Sequence, residues 1–261
     1  GQCDAAEQCT GSSAACPADG FQPDDTPCDD ANTCSINDRC VAGTCGGFLE
    51  NCGNGTVEGL CAEECDDGNF APDDGCDASC RFEPCRGEPL IGCRATTVAG
   101  KASVQIVSRL NSEKNRLQWK YTPGATTPKS DFGTPTTTTS YQFCIWEEIG
   151  GDPRLSASYA IPAGGTCGFK PCWKESSGGF KYSDKAHTSE GISSLLLKQG
   201  LAPGKTKITL GGKGANLPLP VLPVIQSPNV VMQLISSAGL CWETRYGMPA
   251  FRNQPDQFRD K

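Results

Sequence analysis

Three acidic side chains lie close together among the first cysteines of the chain, in the stretch CDAAEQCTGSSAACPADG from Cys3 to Gly20. Asp4, Glu7 and Asp19 have no lysine or arginine beside them in this stretch. Carboxylates gathered without cationic partners repel one another until a divalent cation neutralises them, and Ca²⁺ takes about six to eight oxygen ligands. The stretch therefore predicts a structural calcium site, against the alternative of an acidic surface facing water.

The frame C-D-x-x-E-x-C-T-G-x-S-x-x-C-P-x-D, within residues 3–28, resembles the C-terminal part of the disintegrin-like domain of reprolysin and ADAM metalloproteinases. In that family the corresponding loop holds a structural calcium ion. The resemblance implies as ligands the side chains of Asp4, Glu7 and Asp19 and the carbonyls of Ala5 and Gly20. The integrin-recognising loop of disintegrins corresponds to a segment upstream of Cys3, so integrin binding is not inferred from the resemblance.

A second group of oxygen-bearing side chains lies in TPCDDANTCSINDRCVAGTCGG, residues 26–47. The cysteine spacing resembles short cysteine-rich modules that are repeated in secreted proteins of myxobacteria and related bacteria. Two interpretations stay open, a second calcium cage or a set of ordinary turn-forming residues. The side chains concerned are Asp29, Asp30, Asn32 and Asp38.

The third stretch, CGNGTVEGLCAEECDDGNFAPDDGCDASC from Cys52 to Cys80, resembles the Myxococcus-type cysteine-rich repeat, and its first half resembles the calcium loop that begins the disintegrin-like domain. The second resemblance implies as ligands the side chains of Asn54, Glu58, Glu63 and Asp66 and the carbonyls of Asn51 and Thr56. An insertion at residues 59–62 leaves Glu64 as an alternative to Glu63. Asn54-Gly55-Thr56 is also a glycosylation sequon; we favour the ligand role, which predicts a buried Asn54.

Cysteine usage indicates disulfides rather than zinc. The chain has 18 cysteines, 14 of them in residues 1–93, with no CxxC pair and a single histidine. Zinc sites favour close cysteine pairs, often with histidine, whereas disulfide frameworks are typical of oxidising compartments. We therefore expect a secreted or cell-surface protein. No apolar run reaches the length of a membrane span, so we expect no membrane-spanning segment.

Charge divides the chain at the same place. Residues 1–93 carry 19 acidic and 3 basic side chains, a net charge of −16, and residues 94–261 carry 11 and 20, a net charge of +9. The first part has too few large apolar residues for a core, so crosslinks and ions must stabilise it. The expected domains are disulfide-rich modules over 1–51, the cysteine-rich repeat over 52–93 and a β domain over 94–261.

Residues 94–261 alternate apolar and polar side chains in stretches separated by Gly, Pro, Ser and Asn, such as SVQIVSRL, RLQWKY, SYQFCIW, KTKITL and NVVMQL. This period of two predicts an antiparallel, jelly-roll-like β-sandwich of about eight to ten strands, giving a mainly β protein. It resembles an uncharacterised β domain found beside the same repeats. Residues 122–140 predict a long Pro- and Thr-rich loop, and the prolines of residues 216–228 predict extended chain outside any central strand.

No catalytic motif accompanies the titratable residues of this domain. The only histidine, His187, lies in a polar, turn-like stretch without a nucleophile elbow. Glu147 and Glu148 are neighbours on a predicted strand and therefore point to opposite faces, unlike the carboxylates of a glycosidase. We expect surface charge there and predict that the protein is not an enzyme.

The tryptophans and cysteines of the β domain carry two further expectations. Trp119, Trp146, Trp173 and Trp242 are interpreted as core residues, the alternative being a platform that stacks on sugars. The expected disulfides are Cys167–Cys172, Cys144–Cys241 and Cys85–Cys93, although sequence alone does not give the pairing.

The sequence thus predicts a non-enzymatic extracellular structural or adhesive protein, stabilised by calcium and disulfides, that self-assembles into a surface fibre or layer. The expected partners are like subunits in a homo-oligomer or filament, with no nucleic acid. A carbohydrate-binding module, which would recognise a cell-surface glycan, and an accessory region of a secreted hydrolase are the alternatives.

Overall fold

The computed structural model of the chain describes residues 2–5, 20–31, 35–49, 53–56, 68–70, 80, 83, 85 and 88–261. The chain divides into two compact units, Gly1–Glu83 and Pro84–Lys261. Residues 84–93, which were grouped with the cysteine-rich repeat, thus belong to the unit that contains the β domain. Among the described residues there is no α-helix, and the mainly β fold class is confirmed.

The first unit contains two antiparallel strand pairs. β1 (Asp4–Ala5) pairs with β2 (Gly20–Phe21), and β3 (Ser35–Val41) pairs with β4 (Thr44–Leu49). The disulfides Cys3–Cys40 and Cys28–Cys45 join these segments. In the described part of this unit, the buried hydrophobic side chains are the cysteines Cys3, Cys40 and Cys80. Crosslinks therefore take the place that apolar side chains have in a larger core.

The second unit is a β-sandwich whose larger sheet has eight antiparallel strands. In order across the sheet they are β12 (Trp173–Ser176), β13 (Gly179–Ser183), β14 (Ile192–Lys198), β15 (Thr206–Lys213), β7 (Arg116–Gly124), β6 (Ser103–Val107), β19 (Gln257–Asp260) and β18 (Arg252–Gln254). Two short 3-10 turns, Ser112–Lys114 and Lys129–Phe132, lie beside β7 in the chain.

The smaller sheet has five strands, of which β5 runs parallel to β17 and the others are antiparallel. Their order is β5 (Arg94–Ala95), β17 (Cys241–Gly247), β16 (Asn229–Ser236), β8 (Tyr141–Ile149) and β9 (Asp152–Ile161). A separate hairpin pairs β10 (Thr166–Cys167) with β11 (Lys170–Pro171). The two large sheets contain thirteen strands, more than the eight to ten expected, because several edge strands are too short to show alternation.

The inner faces of the two sheets form one apolar core. Trp119 of β7 lies 4.9 Å, centroid to centroid, from Phe143 of β8, and its Nε1–H donates to Thr244 Oγ1 of β17 at 2.8 Å. All four tryptophans are at most 3% exposed. Their interpretation as core residues is confirmed, and none of them is available as a sugar-stacking platform.

Cys85 and residues 88–93, together called here the strap, are fastened to the outer face of the five-stranded sheet. Disulfides join Cys85 to Cys144 on β8 and Cys93 to Cys241 on β17. Between them the backbone N–H and C=O of Leu90 exchange hydrogen bonds with the side-chain amide of Gln233 on β16, at 3.0 and 2.9 Å.

Two of the expected disulfides are therefore wrong, whereas Cys167–Cys172 is confirmed. β16 lies between β8 and β17, which places Cys144 and Cys241 about two strand spacings, roughly 9.5 Å, apart. A disulfide bridges Cα atoms closer than about 7 Å. Each cysteine instead pairs with the strap, and Cys85 and Cys93 do not pair with each other.

The proline-rich segment 216–228 is extended chain outside the strands, as predicted. Leu217 is buried against Gly191 and Gly212, and the Pro218 carbonyl accepts a hydrogen bond from Tyr159 of β9 at 2.6 Å. Val224 is buried further along. The segment therefore contacts both sheets and covers one open side of the sandwich.

Candidate functional site

The first predicted calcium site falls partly on the described residues. Strand pairing places Ala5 opposite Gly20 and Asp4 opposite Phe21. Three of the five predicted ligands therefore lie on one two-stranded element. Glu7 and Asp19 lie outside the described residues, and the complete site stays a prediction.

The predicted site in the cysteine-rich repeat is described at two positions, Asn54 and Thr56. Asn54 is exposed, and its Oδ1 accepts a hydrogen bond from the Thr56 backbone N–H at 2.7 Å. The burial that a ligand role predicted for Asn54 is not observed, because the side chain closes a local turn instead. Asn51, Glu58, Glu63 and Asp66 lie outside the described residues.

The second oxygen-rich group forms a compact cluster. Carboxylate oxygens of Asp29, Asp30 and Asp38 lie within 4.8 Å of one another. Asp29 Oδ1 accepts the backbone N–H of Ala31 at 2.8 Å, and Asp38 Oδ2 accepts that of Asp30 at 3.0 Å. The cluster follows Cys28, whose bond to Cys45 fixes the strand pair beside it. The fourth side chain proposed for this cage, Asn32, lies outside the described residues.

One oxygen of this cluster fits a cation. Asp38 Oδ1 is buried and has no hydrogen-bond partner. A buried carboxylate oxygen without a donor is costly, and a divalent ion would satisfy it together with the two neighbouring carboxylates. The cysteine group Cys3, Cys28 and Cys45 also lies together, but its sulfurs are consumed by disulfides and offer no thiolate to a metal.

His187 lies in a loop whose acidic residue has a structural role. Asp184 is 1% exposed and accepts hydrogen bonds from the Ala186 N–H, the Thr188 N–H and the Thr188 hydroxyl, at 2.7–2.9 Å. Burial opposes ionisation of Asp184, but the donors from Thr188 and Ala186 outweigh it and hold the pKa of this carboxyl below its ordinary value. The carboxylate thus closes the loop through Ala186 and Thr188, the residues on either side of His187.

Glu147 and Glu148 are not surface charges, contrary to the expectation. They are 8% and 7% exposed. Glu147 accepts hydrogen bonds from the Ser156 hydroxyl and the Ile225 N–H, at 2.5 and 2.7 Å. Glu148 accepts bonds from the Asn229 side chain and from Arg245, at 2.7 and 3.2 Å. Their partners lie on different sides of β8, so the pair fastens neighbouring segments and does not converge on a substrate.

Arg245 joins Glu148 to a second carboxylate on the outer face of the five-stranded sheet. Its Nε donates to Glu243 at 2.8 Å. The hydrogen bond that Arg245 donates to Glu243 raises the pKa of Arg245, with a smaller contribution from Glu148. Glu243 also accepts a bond from Gln233 at 2.7 Å, so this network continues to the strap.

Sequence reasoning missed a concave surface beside the proline-rich segment. One depression of about 280 Å³ lies between β9 and this segment, and a neighbouring one of about 580 Å³ lies between this segment and residues 248–254. They share Ile225, and the second shares Phe251 with a small depression at Arg259 and Lys261. We call this continuous surface the end groove. In the sequence, this surface could have been indicated by the apolar residues that alternate with prolines in residues 216–228 and 248–251.

Comparison of the chain with protein-family models, curated proteins and solved structures finds no match. The geometry and charge of the two units must therefore carry the functional argument. In the described residues, no helix is long and apolar enough to cross a membrane.

Proposed function

We propose that this protein is a non-enzymatic extracellular structural or adhesive protein that self-assembles into a surface fibre or layer. The observation that carries the proposal is the opposite charge of the two compact units. Gly1–Glu83 has 18 acidic and 2 basic residues, a net charge of −16, and Pro84–Lys261 has 12 and 21, a net charge of +9.

Opposite charges on two units of one chain favour contact between the acidic unit of one copy and the basic unit of the next. Such a head-to-tail contact uses two different surfaces, and it produces a filament when its rotation does not close into a ring. Charge complementarity also speeds encounter and fixes the register between copies. The disulfides of both units support an oxidising, extracellular location.

Calcium is the proposed structural ion of the acidic unit. The Asp29, Asp30 and Asp38 cluster, with its buried and unpartnered Asp38 oxygen, supports this role. The ligand set implied at Asp4, Glu7 and Asp19 is proposed as a second site. Calcium bound at these two sites would also reduce the negative charge of the first unit. We therefore expect assembly to depend on both calcium and salt.

The assembly is tested on the purified full chain by light scattering and sedimentation over a range of calcium and salt concentrations. We expect association that weakens as salt screens the opposite charges, over a range up to about 0.5 M. A chain that stays monomeric under every condition would refute self-assembly.

The calcium sites are tested separately by thermal unfolding and limited proteolysis with and without a chelator. We expect chelation to lower the stability of residues 1–83, and D38N and D19A each to reproduce part of the loss. D152N, which changes an exposed carboxylate in the β-sandwich, is the control. Stability that is unaffected by chelator would show that the ligand assignments are wrong.

We do not propose glycan binding. Its only support in the sequence was the four tryptophans, and these side chains are buried.

A further inference from the structure

We propose that the end groove is the docking site for an acidic, apolar patch on the first unit of a second copy of this chain. The inference rests on the proposed self-assembly and names the surfaces that make the contact. The patch consists of Phe21, Asp24, Asp25 and Val41. The contact is heterologous, so each pair of copies keeps one unused groove and one unused patch for further neighbours.

The end groove gathers half of the exposed large apolar side chains in the described part of the β-sandwich. The described part of residues 84–261 has ten exposed large hydrophobic residues, and five of them line the groove. Val221 is 83%, Phe251 66% and Met248 65% exposed. The other two are Ile149 and Ile225. Concentration of apolar surface in one concave region is typical of an interaction site.

The exposed charge around this apolar surface is cationic. Arg259 Cζ and Lys261 Nζ lie 5.3 and 5.5 Å from the ring centroid of Phe251. Arg154 and Arg252 line the depressions beside Ile225.

The acidic groups near the groove are already satisfied. Glu147 and Asp260 are buried and hydrogen-bonded, the latter to Gln226 at 2.9 Å. Asp256 pairs with Arg252 and Arg109, at 3.2 and 3.1 Å. Burial would raise the pKa of this carboxyl, but the two cations outweigh that effect and hold the pKa below its ordinary value. Four cationic and two anionic side chains line the groove, namely Arg154, Arg252, Arg259 and Lys261 against Glu147 and Asp260. Even with Asp256 offsetting Arg252, a small positive charge is left, which an acidic partner would neutralise.

The walls of the groove are held in place before any partner binds. The Asn253 side chain exchanges hydrogen bonds with the Val224 backbone N–H and C=O, at 3.0 and 2.7 Å. Glu147 holds the next residue, Ile225, through its backbone N–H at 2.7 Å. A surface fixed in this way loses little conformational entropy on association.

The patch on the first unit has matching character. Phe21 and Val41 are 59% and 61% exposed, and Asp24 and Asp25 are exposed beside them. Asp24 accepts the Ala42 backbone N–H at 2.8 Å. Gly43, at φ +81°, lets the Phe21 ring lie against the same turn, where a Cβ would come within 2.5 Å of the ring. The turn thus carries two apolar and two acidic side chains together, the complement of an apolar groove with cationic margins.

The proposal is tested with full-length variants that each lack one of the two surfaces. R259E/K261E reverses two groove charges, and F21S/D25N alters the patch. K198E/K207E makes the same charge change at two exposed lysines that face each other across β14 and β15, and is the matched control. Association constants come from sedimentation at low salt, with calcium present. Circular dichroism and thermal unfolding show whether each variant keeps its fold.

We expect R259E/K261E and F21S/D25N each to weaken association by at least about tenfold, and the control by less than about twofold. A mixture of the two weakened variants should form 1:1 dimers and nothing longer, since each pair retains one intact groove and one intact patch. Association of R259E/K261E as tight as that of the control would overturn the groove and leave self-assembly standing. A monomeric wild-type chain would overturn self-assembly itself.

Discussion

Two buried tryptophan N–H groups in the sandwich core donate to buried threonine hydroxyls. Trp119 donates to Thr244 at 2.8 Å, and Trp242 donates to Thr127 at 3.2 Å. Both threonines are at most 3% exposed. A buried N–H without an acceptor is costly, so these hydrogen bonds restrict how the sheets can be packed. Composition could predict that the tryptophans are buried, but not these acceptors, which become neighbours only when the sheets pack.

The Trp119–Thr244 hydrogen bond predicts a specific loss in the variant T244V. Valine keeps the side-chain shape but leaves the buried Trp119 N–H without an acceptor, and we expect the free energy of unfolding to fall by about 1–3 kcal/mol. Denaturant unfolding of the full chain measures the change. T209V, a half-buried position on β15, should change it by less than about 0.5 kcal/mol. Equal effects of the two substitutions would contradict the role given to this hydrogen bond.

The Asp184 loop predicts a pH-dependent difference between wild type and D184N. The pKa of Asp184 is lower in the folded chain than in the unfolded chain. Its stabilisation is therefore present above the unfolded pKa of about 3.9 and disappears as pH falls through the folded value. We expect D184N to lose about 1–2 kcal/mol of the free energy of unfolding near neutral pH, because an amide is a weaker acceptor for three donors.

Unfolding curves at several pH values below neutrality measure this difference. The gap between wild type and D184N should narrow in acid, whereas D152N should follow wild type throughout. A gap of constant size would show that the Asp184 charge contributes nothing.

The strands are predictable where one face is buried and the other is not. RLQWKY falls within β7, where buried and exposed residues alternate. SYQFCIW and NVVMQL overlap β8 and β16, which are buried on both faces and are predictable from their apolar residues instead. β12, β18 and β5 gave no such signal, since strands of two to four residues at sheet margins hold too little alternation to detect. The strap could not be predicted either, because its position depends on where the partners of Cys85 and Cys93 lie once the sheets have formed.

The disulfides of the sandwich predict unequal contributions to stability. Cys93–Cys241 spans a sequence separation of 148 residues and Cys167–Cys172 one of 5. By loop-closure entropy, removing the first with C93S/C241S should lower the free energy of unfolding by about 4–5 kcal/mol and removing the second with C167S/C172S by about 2 kcal/mol. Denaturant unfolding under non-reducing conditions measures both. A larger loss for C167S/C172S would contradict this ranking.

At the scale of the whole molecule, the contrast between the two units was visible in the sequence. Cysteine density, acidity and the scarcity of large apolar residues mark the first unit, and alternation marks the second. A calcium cage was one of two interpretations of Asp29, Asp30 and Asp38. The proximity of these three carboxylates depends on a backbone path that their spacing in the sequence does not give. The end groove was not predicted, because its walls come from segments far apart in the chain.

The two units predict two thermal transitions in the full chain. The sandwich has its own apolar core and three disulfides, whereas the acidic unit depends on crosslinks and the proposed calcium. Scanning calorimetry should show one transition that shifts to lower temperature by several degrees on chelation and one that does not. A single transition that moves as a whole would show that the units unfold together.

The strap also sets how the sandwich bears tension. If force is applied between residues 84 and 261, the bond from Cys93 to Cys241 carries it past the intervening chain, a separation of 148 residues. Only the strap and residues 241–261 lie on the loaded path, and the latter can release about 20 residues, or roughly 70 Å of extended chain. Most of the sandwich is thereby shielded from stretching, so this disulfide limits how far the sandwich of each subunit can extend under such a load.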